Sequence, residues 1–193
     1  MANLDVDKNK TALVVIDLQK GIASMPGRTT EPYPASTVVI NAAKLADAFR
    51  ANSMPVFLVH VKSSGKDRLN TVTDSQWQMP KEMPADWADI VPELGPMEND
   101  IIITKKQWGA FYGTDLELQL RRRGIDTIVL CGISTNHGVE STARFAYEFG
   151  FQQIFAEDAM SGMSAEAHKT SIETAFKRMG RVRSTAEILE ALG

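Results

Sequence analysis

Apolar residues along this chain fall into short continuous runs separated by longer amphipathic stretches. The runs are Ala12 to Ile16, Val56 to Val61, Ile101 to Ile103, Thr127 to Leu130 and Ile154 to Ala156. Continuous Val/Ile-rich runs of this length predict strands covered on both faces, because a strand with one wet face would alternate instead. Between them, Val38, Ala42, Leu45, Ala46 and Phe49 make one apolar stripe at helical spacing. Val139 to Phe149 and Ala165 to Met179 read as helices stopped by Gly150 and Gly180. Thr114-Asp115-Leu116-Glu117 reads as a capping box opening a helix that closes near Gly124, and Ser184-Thr185-Ala186-Glu187 as a second box starting a helix through Leu192. This β-α-β alternation predicts one α/β domain over residues 1–193, a doubly wound, Rossmann-like parallel sheet with helices on both faces.

One stretch breaks the pattern. Ser63 to Pro96 has little periodicity and holds Pro80, Pro84, Pro92 and Pro96 with Trp77 and Trp87. A long irregular excursion inside a compact domain reads as a loop over the functional site.

Composition narrows the function classes. A net charge of -3 on 193 residues excludes the broad positive field that nucleic-acid binding needs. The basic run Arg121-Arg122-Arg123 precedes Gly124, where cations suit a helix C-terminus. The single cysteine, Cys131, excludes an internal disulfide and a cysteine-based zinc site. His60, His137 and His168 are too dispersed for a metal site, so neither metal nor cofactor is expected. Met1 to Lys10 lacks the apolar stretch of a secretory signal and no later run reaches membrane-spanning length, so the expected setting is cytoplasmic, without a membrane partner.

In an open parallel sheet, ligands bind outside the carboxyl ends of the strands. That rule selects Asp17, Lys105 and the turn Gly132 to Gly138. An Asp directly after five apolar residues costs desolvation energy unless it is paired or used, with helix capping or a salt bridge as the plain alternative. Gln19 shares its side of the strand end as an orienting amide. Trp108 and Phe111 follow the lysine as candidate walls of an apolar pocket, with Trp77 or Trp87 closing it from the loop, although core packing explains any aromatic equally well. His60 ends a strand and reads as an ordinary hydrogen-bonded histidine or a substrate contact; His137 precedes Gly138 in the presumed site; His168 reads as solvated on a helix.

Three linked motifs resemble the isochorismatase-like hydrolases. Thr11-Ala-Leu-Val-Val-Ile-Asp17-Leu-Gln19 resembles their first-strand motif, whose Asp is the general acid or base. Thr104-Lys105 through Leu116 is similar to the segment holding the family lysine, and Leu130-Cys131 through Ala143 to the third motif. Phe151 through Met160, with Glu157-Asp158-Ala159, matches the strand and Asp-Ala turn that follow. The resemblance departs at Gly138, which stands where thiol members carry their nucleophilic cysteine, at a helix N-terminus that lowers a thiol pKa. Cys131 lies seven residues earlier on a strand and does not replace it.

Isochorismatases proper resemble this chain in carrying Gly there. The resemblance therefore implies hydrolysis of an enol-pyruvyl ether to pyruvate and a dihydrodiol, with Asp17 protonating the vinyl carbon and Lys105 beside it. Lys105 opposes that role by lowering the Asp17 pKa, whereas burial and an anionic substrate raise it. Substrate contacts are expected at Gln19, Trp108, Phe111, Ser134, Thr135, Asn136, His137 and Gly138, the turn amides holding a carboxylate or developing charge. The partner is a small, anionic substrate, and the resemblance implies a homo-oligomer. Two alternatives stay open: amide or ester hydrolysis by water activated at Asp17, and a small-molecule binding protein that kept the pocket without chemistry.

Overall fold

The computed structural model describes residues 4–63, 67, 71–75 and 83–193. Among these residues six strands, β1 (Thr11–Ile16), β2 (Val56–Val61), β3 (Ile101–Lys105), β4 (Thr127–Ile133), β5 (Gln152–Ser161) and β6 (Arg181–Arg183), form one parallel sheet. Their spatial order is β3-β2-β1-β4-β5-β6, the doubly wound arrangement. Helices α1 (Lys20–Ala23), α2 (Ala35–Ala51), α3 (Leu116–Arg122), α4 (Glu140–Glu148), α5 (Ala165–Thr170), α6 (Lys177–Met179) and α7 (Thr185–Leu192) complete it, with wider π-helical turns at Thr135–Val139 and Ser171–Phe176.

The central strand shows why the apolar runs are continuous. Ala12, Val14 and Ile16 pack on one face with Leu116 and Leu120 of α3 and Ala143 and Ala146 of α4. Leu13 and Val15 pack on the other with Leu45 and Phe49 of α2 and Ile188 and Leu192 of α7. Both faces are therefore dry, and β1 is apolar throughout from Ala12 to Ile16. Because β1 and β4 are neighbours and the winding reverses between them, their carboxyl ends open the crevice.

Three expectations change in the structure. The sequence pattern does not signal the short edge strand β6, because Arg-Val-Arg offers no apolar run and an edge strand tolerates charged side chains. The box at Thr114 does not form: α3 starts at Leu116, and Thr114 Oγ1 donates to the Ala110 carbonyl while accepting the Leu116 N–H. The box at Ser184 does form. Strand β5 runs on to Ser161 through Glu157 and Asp158, whose polarity had hidden its second half. Of the irregular excursion, Trp77 and Pro80 lie outside the described residues, while Pro92–Leu94 makes one 3₁₀ turn.

Gly132 marks where β4 approaches β1 most closely. It has φ +123°, and a Cβ there would overlap the Ile16 carbonyl oxygen. Gly132→Ala should therefore cost more than about 4 kcal/mol in urea unfolding, through clash and strain together. Gly113→Ala meets nothing within 4 Å at φ +70°, so it should cost about 1–2 kcal/mol from backbone strain alone. Similar losses for the two variants would contradict this account.

Candidate active site

Asp17 directly follows β1 and adopts φ +54°, a left-handed conformation that Asp tolerates better than most residues. Its N–H donates to the Val59 carbonyl at 2.9 Å, which anchors the turn to β2. The residue is 5% exposed, and Oδ2 accepts a hydrogen bond from Lys105 Nζ at 2.8 Å. Lys105, the last residue of β3, is 1% exposed and also donates to the Gln107 carbonyl at 2.9 Å. The lysine reaches Asp17 across the end of β2, where Val61 is its register partner. Asp17 Oδ1 has no hydrogen-bond partner among the described residues. Burial raises the Asp17 pKa above the usual carboxylate range, against the opposing pull of the Lys105 charge and hydrogen bond.

The turn after β4 closes the third side. Ser134 is extended, and Thr135–Val139 leads into α4. A Cβ at Gly138 would stand 3.0 Å from Asp17 Oδ2, 3.0 Å from Ile16 Cγ2 and 3.6 Å from the Trp108 carbonyl oxygen. Any side chain at this position would therefore lean on the carboxylate. The Gly138 carbonyl accepts from Thr142 Oγ1 at 2.7 Å, and that hydroxyl accepts the Ala110 N–H at 3.1 Å, so the turn is tied to the segment beyond Lys105. His137 is half-buried and meets Trp108 edge to face at 4.7 Å. Burial lowers its pKa, with the Arg28 charge acting the same way and Glu140 opposing.

The family model for the isochorismatase domain matches residues 11–187. The chain belongs to the isochorismatase family. It is 53% identical over 192 residues to the isochorismatase family protein YwoC of Bacillus subtilis, covering 98% of each chain. It is 54% identical over 191 residues to the isochorismatase family protein YecD of Escherichia coli O157:H7, covering 98% of this chain and 100% of that one. An isochorismatase family protein from Burkholderia thailandensis shares its fold at a TM-score of 0.91 with 41% identity, over 99% of both chains. The family supports hydrolase activity.

Within this isochorismatase domain, the expected site residues separate into those that meet and those that do not. Asp17, Lys105, Gly138, His137 and Trp108 come together. Phe111 does not: its ring is buried against Phe149 and Phe151 in the core, because the chain turns inward after Ala110. The Gln19 amide is consumed by backbone, with Nε2 donating to Val61 and Trp87 carbonyls and Oε1 accepting the Val61 N–H. It clamps the end of β2 to the 83–91 segment rather than orienting a ligand. Trp87 lies over Gly21, where a Cβ would overlap the indole. His60 is an ordinary hydrogen-bonded histidine, between the Ala88 carbonyl at 2.6 Å and Thr104 Oγ1 at 2.7 Å.

His168 corrects the solvated reading, being 3% exposed. Its Nδ1 meets Thr135 Oγ1 at 2.8 Å and its Nε2 meets Glu157 Oε1 at 3.3 Å. Tyr33 Oη donates to both Glu157 oxygens, at 2.9 and 3.0 Å. The hydrogen bond with His168 holds the Glu157 pKa low against the opposing effect of burial. Thr135 is a strut under the turn through its contact with His168, whereas Asn136 is partly exposed with a buried Oδ1 that has no hydrogen-bond partner among the described residues. A surface depression bounded by Asn136, Glu140, Ser164 and Ser171 reaches neither Asp17 nor Lys105. Arg28, half-buried in the loop before α2, went unnoticed in the sequence because an isolated Arg after Gly27 has no distinguishing pattern. Among the described residues no group of three or more His, Cys, Asp or Glu side chains is placed to hold a metal ion.

Removing one partner from a buried ion pair leaves an unpaired charge and typically costs about 3–5 kcal/mol. Lys105→Met should lose about that much by urea unfolding at neutral pH, whereas Asp17→Asn combined with Lys105→Met should lose clearly less. A double variant as unstable as the sum of both singles would show that the contact carries no coupling.

Proposed function

We propose that this chain hydrolyses a small anionic enol-pyruvyl ether, with isochorismate as the first compound to assay, by general acid catalysis from Asp17. The observation that carries this reading is the empty side-chain position at Gly138, 3.0 Å from the carboxylate at the point a Cβ would occupy. A covalent acyl intermediate needs a nucleophile there. The one thiol of the chain, Cys131, lies fully buried among the residues packed against α2, and burial pushes its pKa up. Proton transfer needs no such group.

In this mechanism Lys105 holds Oδ2 and leaves Oδ1 to carry the proton. Burial, by raising the Asp17 pKa, makes the acid form easier to reach than for an exposed carboxylate. Oδ1–H protonates the vinyl carbon, the ether oxygen stabilises the resulting oxocarbenium ion, and water adds to it. The hemiketal breaks down to pyruvate and the alcohol, and the proton released from water restores Asp17. Asp17 and Lys105 have almost no solvent contact, so substrate entry requires neighbouring side chains to shift. His137 and Trp108, which retain exposure, border that path.

Pyruvate release followed with lactate dehydrogenase tests the reading, with ammonia release from nicotinamide as the control. Pyruvate should form without added metal, and the rate should fall as pH rises past the Asp17 pKa, since the protonated acid is consumed. General acid catalysis is worth about 10²–10⁴-fold, so Asp17→Asn should lose that much and Lys105→Ala should also abolish most turnover. Lys106→Ala and Cys131→Ser should stay near the parental rate, because Lys106 pairs with Asp67 at the surface and Cys131 only packs. Ammonia without pyruvate would replace this reading with amide hydrolysis by Asp17-activated water.

A further inference from the structure

One cation beside the site has no counterion. Arg28 is half-buried, its Nε donates to the soft acceptor Met163 Sδ at 3.4 Å, and no carboxylate forms an ion pair with it among the described residues. Arg50, also partly sheltered, is instead neutralised by Asp100 at 2.7 Å and Asp47 at 3.1 Å. A partly desolvated guanidinium with only a thioether contact is unfavourable by itself, and burial lowers its pKa.

The loop that carries Arg28 is not free to swing away. Glu31 N–H donates to the Gly162 carbonyl at 2.8 Å, Gly162 N–H returns a bond to Glu31 at 2.9 Å, and Glu31 Oε2 accepts the Ala165 N–H at 3.1 Å. Gly162 in turn abuts Asn136, whose Oδ1 would lie 3.0 Å from a Cβ there. Met163, the contact of Arg28, directly follows Gly162, so the guanidinium sits on the rim that carries Asn136 and His137; in keeping with this, its charge adds a small downward pull on the pKa of both Asp17 and His137. Lys105 is 1% exposed and already donates to Asp17 Oδ2 and the Gln107 carbonyl. Arg28, partly exposed and without an ion pair among the described residues, is therefore the cation left to meet an anion.

Resting on the reading above, we infer that Arg28 is the carboxylate-binding, specificity-determining residue of this site, taking a planar carboxylate of the substrate in a fork of two N–H···O bonds. Lys105 serves Asp17 and does not contact that carboxylate. A guanidinium suits the task because its planar donors match a carboxylate bidentately.

Calorimetric titration with salicylate and its neutral isostere salicylamide tests this without requiring turnover. The parent should bind salicylate about tenfold or more tightly than salicylamide, a difference of one charge-assisted contact. Arg28→Met should bind the two alike with salicylamide affinity unchanged, and Arg28→Lys should restore part of the preference, circular dichroism confirming the fold. A preference that survives Arg28→Met, an equal weakening of both ligands, or a parent that binds neither or shows no preference overturns the assignment. Lack of pyruvate release alongside an Arg28-dependent preference would refute the ether chemistry alone. Pyruvate release with KM unchanged by Arg28→Met would refute the Arg28 assignment alone.

Discussion

The contact between Asp17 and Lys105 is the constraint on which the rest of the site depends. Two opposite charges are held at 2.8 Å with almost no solvent, and in that setting attraction and desolvation nearly cancel. The pair therefore contributes little net stability, yet it dictates geometry. Strand β1 must end in a left-handed turn, and β3 must lie two strands away with its last residue beside Val61. Gln19 then holds Val61 from both its N–H and its carbonyl, which fixes the end of β2 over which the lysine passes. These neighbours keep two charges in place that packing alone would reject.

Gly138 acts on that pair through what it lacks. With no side chain, the turn after β4 approaches the carboxylate closely enough that even a methyl group would press on Oδ2. The turn is held from below, by Thr135 on His168 and by Thr142 on the Gly138 carbonyl, so its approach does not rely on a ligand. A rigid backbone facing a paired carboxylate is suited to proton transfer, since one oxygen is held and the other is unsatisfied. The same arrangement occupies the Lys105 ammonium with Asp17 and the Gln107 carbonyl, which is why the proposed recognition of an anion falls to Arg28.

Supporting contacts converge on the carboxyl ends of the strands. The chain Thr135, His168, Glu157 and Tyr33 links the β4 turn, α5, β5 and the loop before α2. The paired hydrogen bonds between Glu31 and Gly162 join that loop to the same end of β5. These contacts hold the rim through side chains drawn from distant parts of the chain, while the sheet beneath it is held by apolar packing.

The chain's own pattern determined the sheet, because strands buried on both faces are largely continuous apolar runs, and it drew attention to Asp17 and Lys105 as charges at strand ends, whose expected roles came from the family resemblance. Family-like motifs added Gly138. Only the tertiary structure decided what those residues touch. Phe111 looked like a pocket wall and packs in the core; Gln19 looked like a ligand contact and is consumed by backbone; His168 looked solvated and is buried. Strand β6 and Arg28 had no local signal, since an edge strand needs no apolar run and an unpaired cation is recognised only once its surroundings are assembled. Periodicity records which positions leave water, whereas the partner that a polar group finds depends on residues far away in sequence, such as the 88 positions separating Asp17 from Lys105.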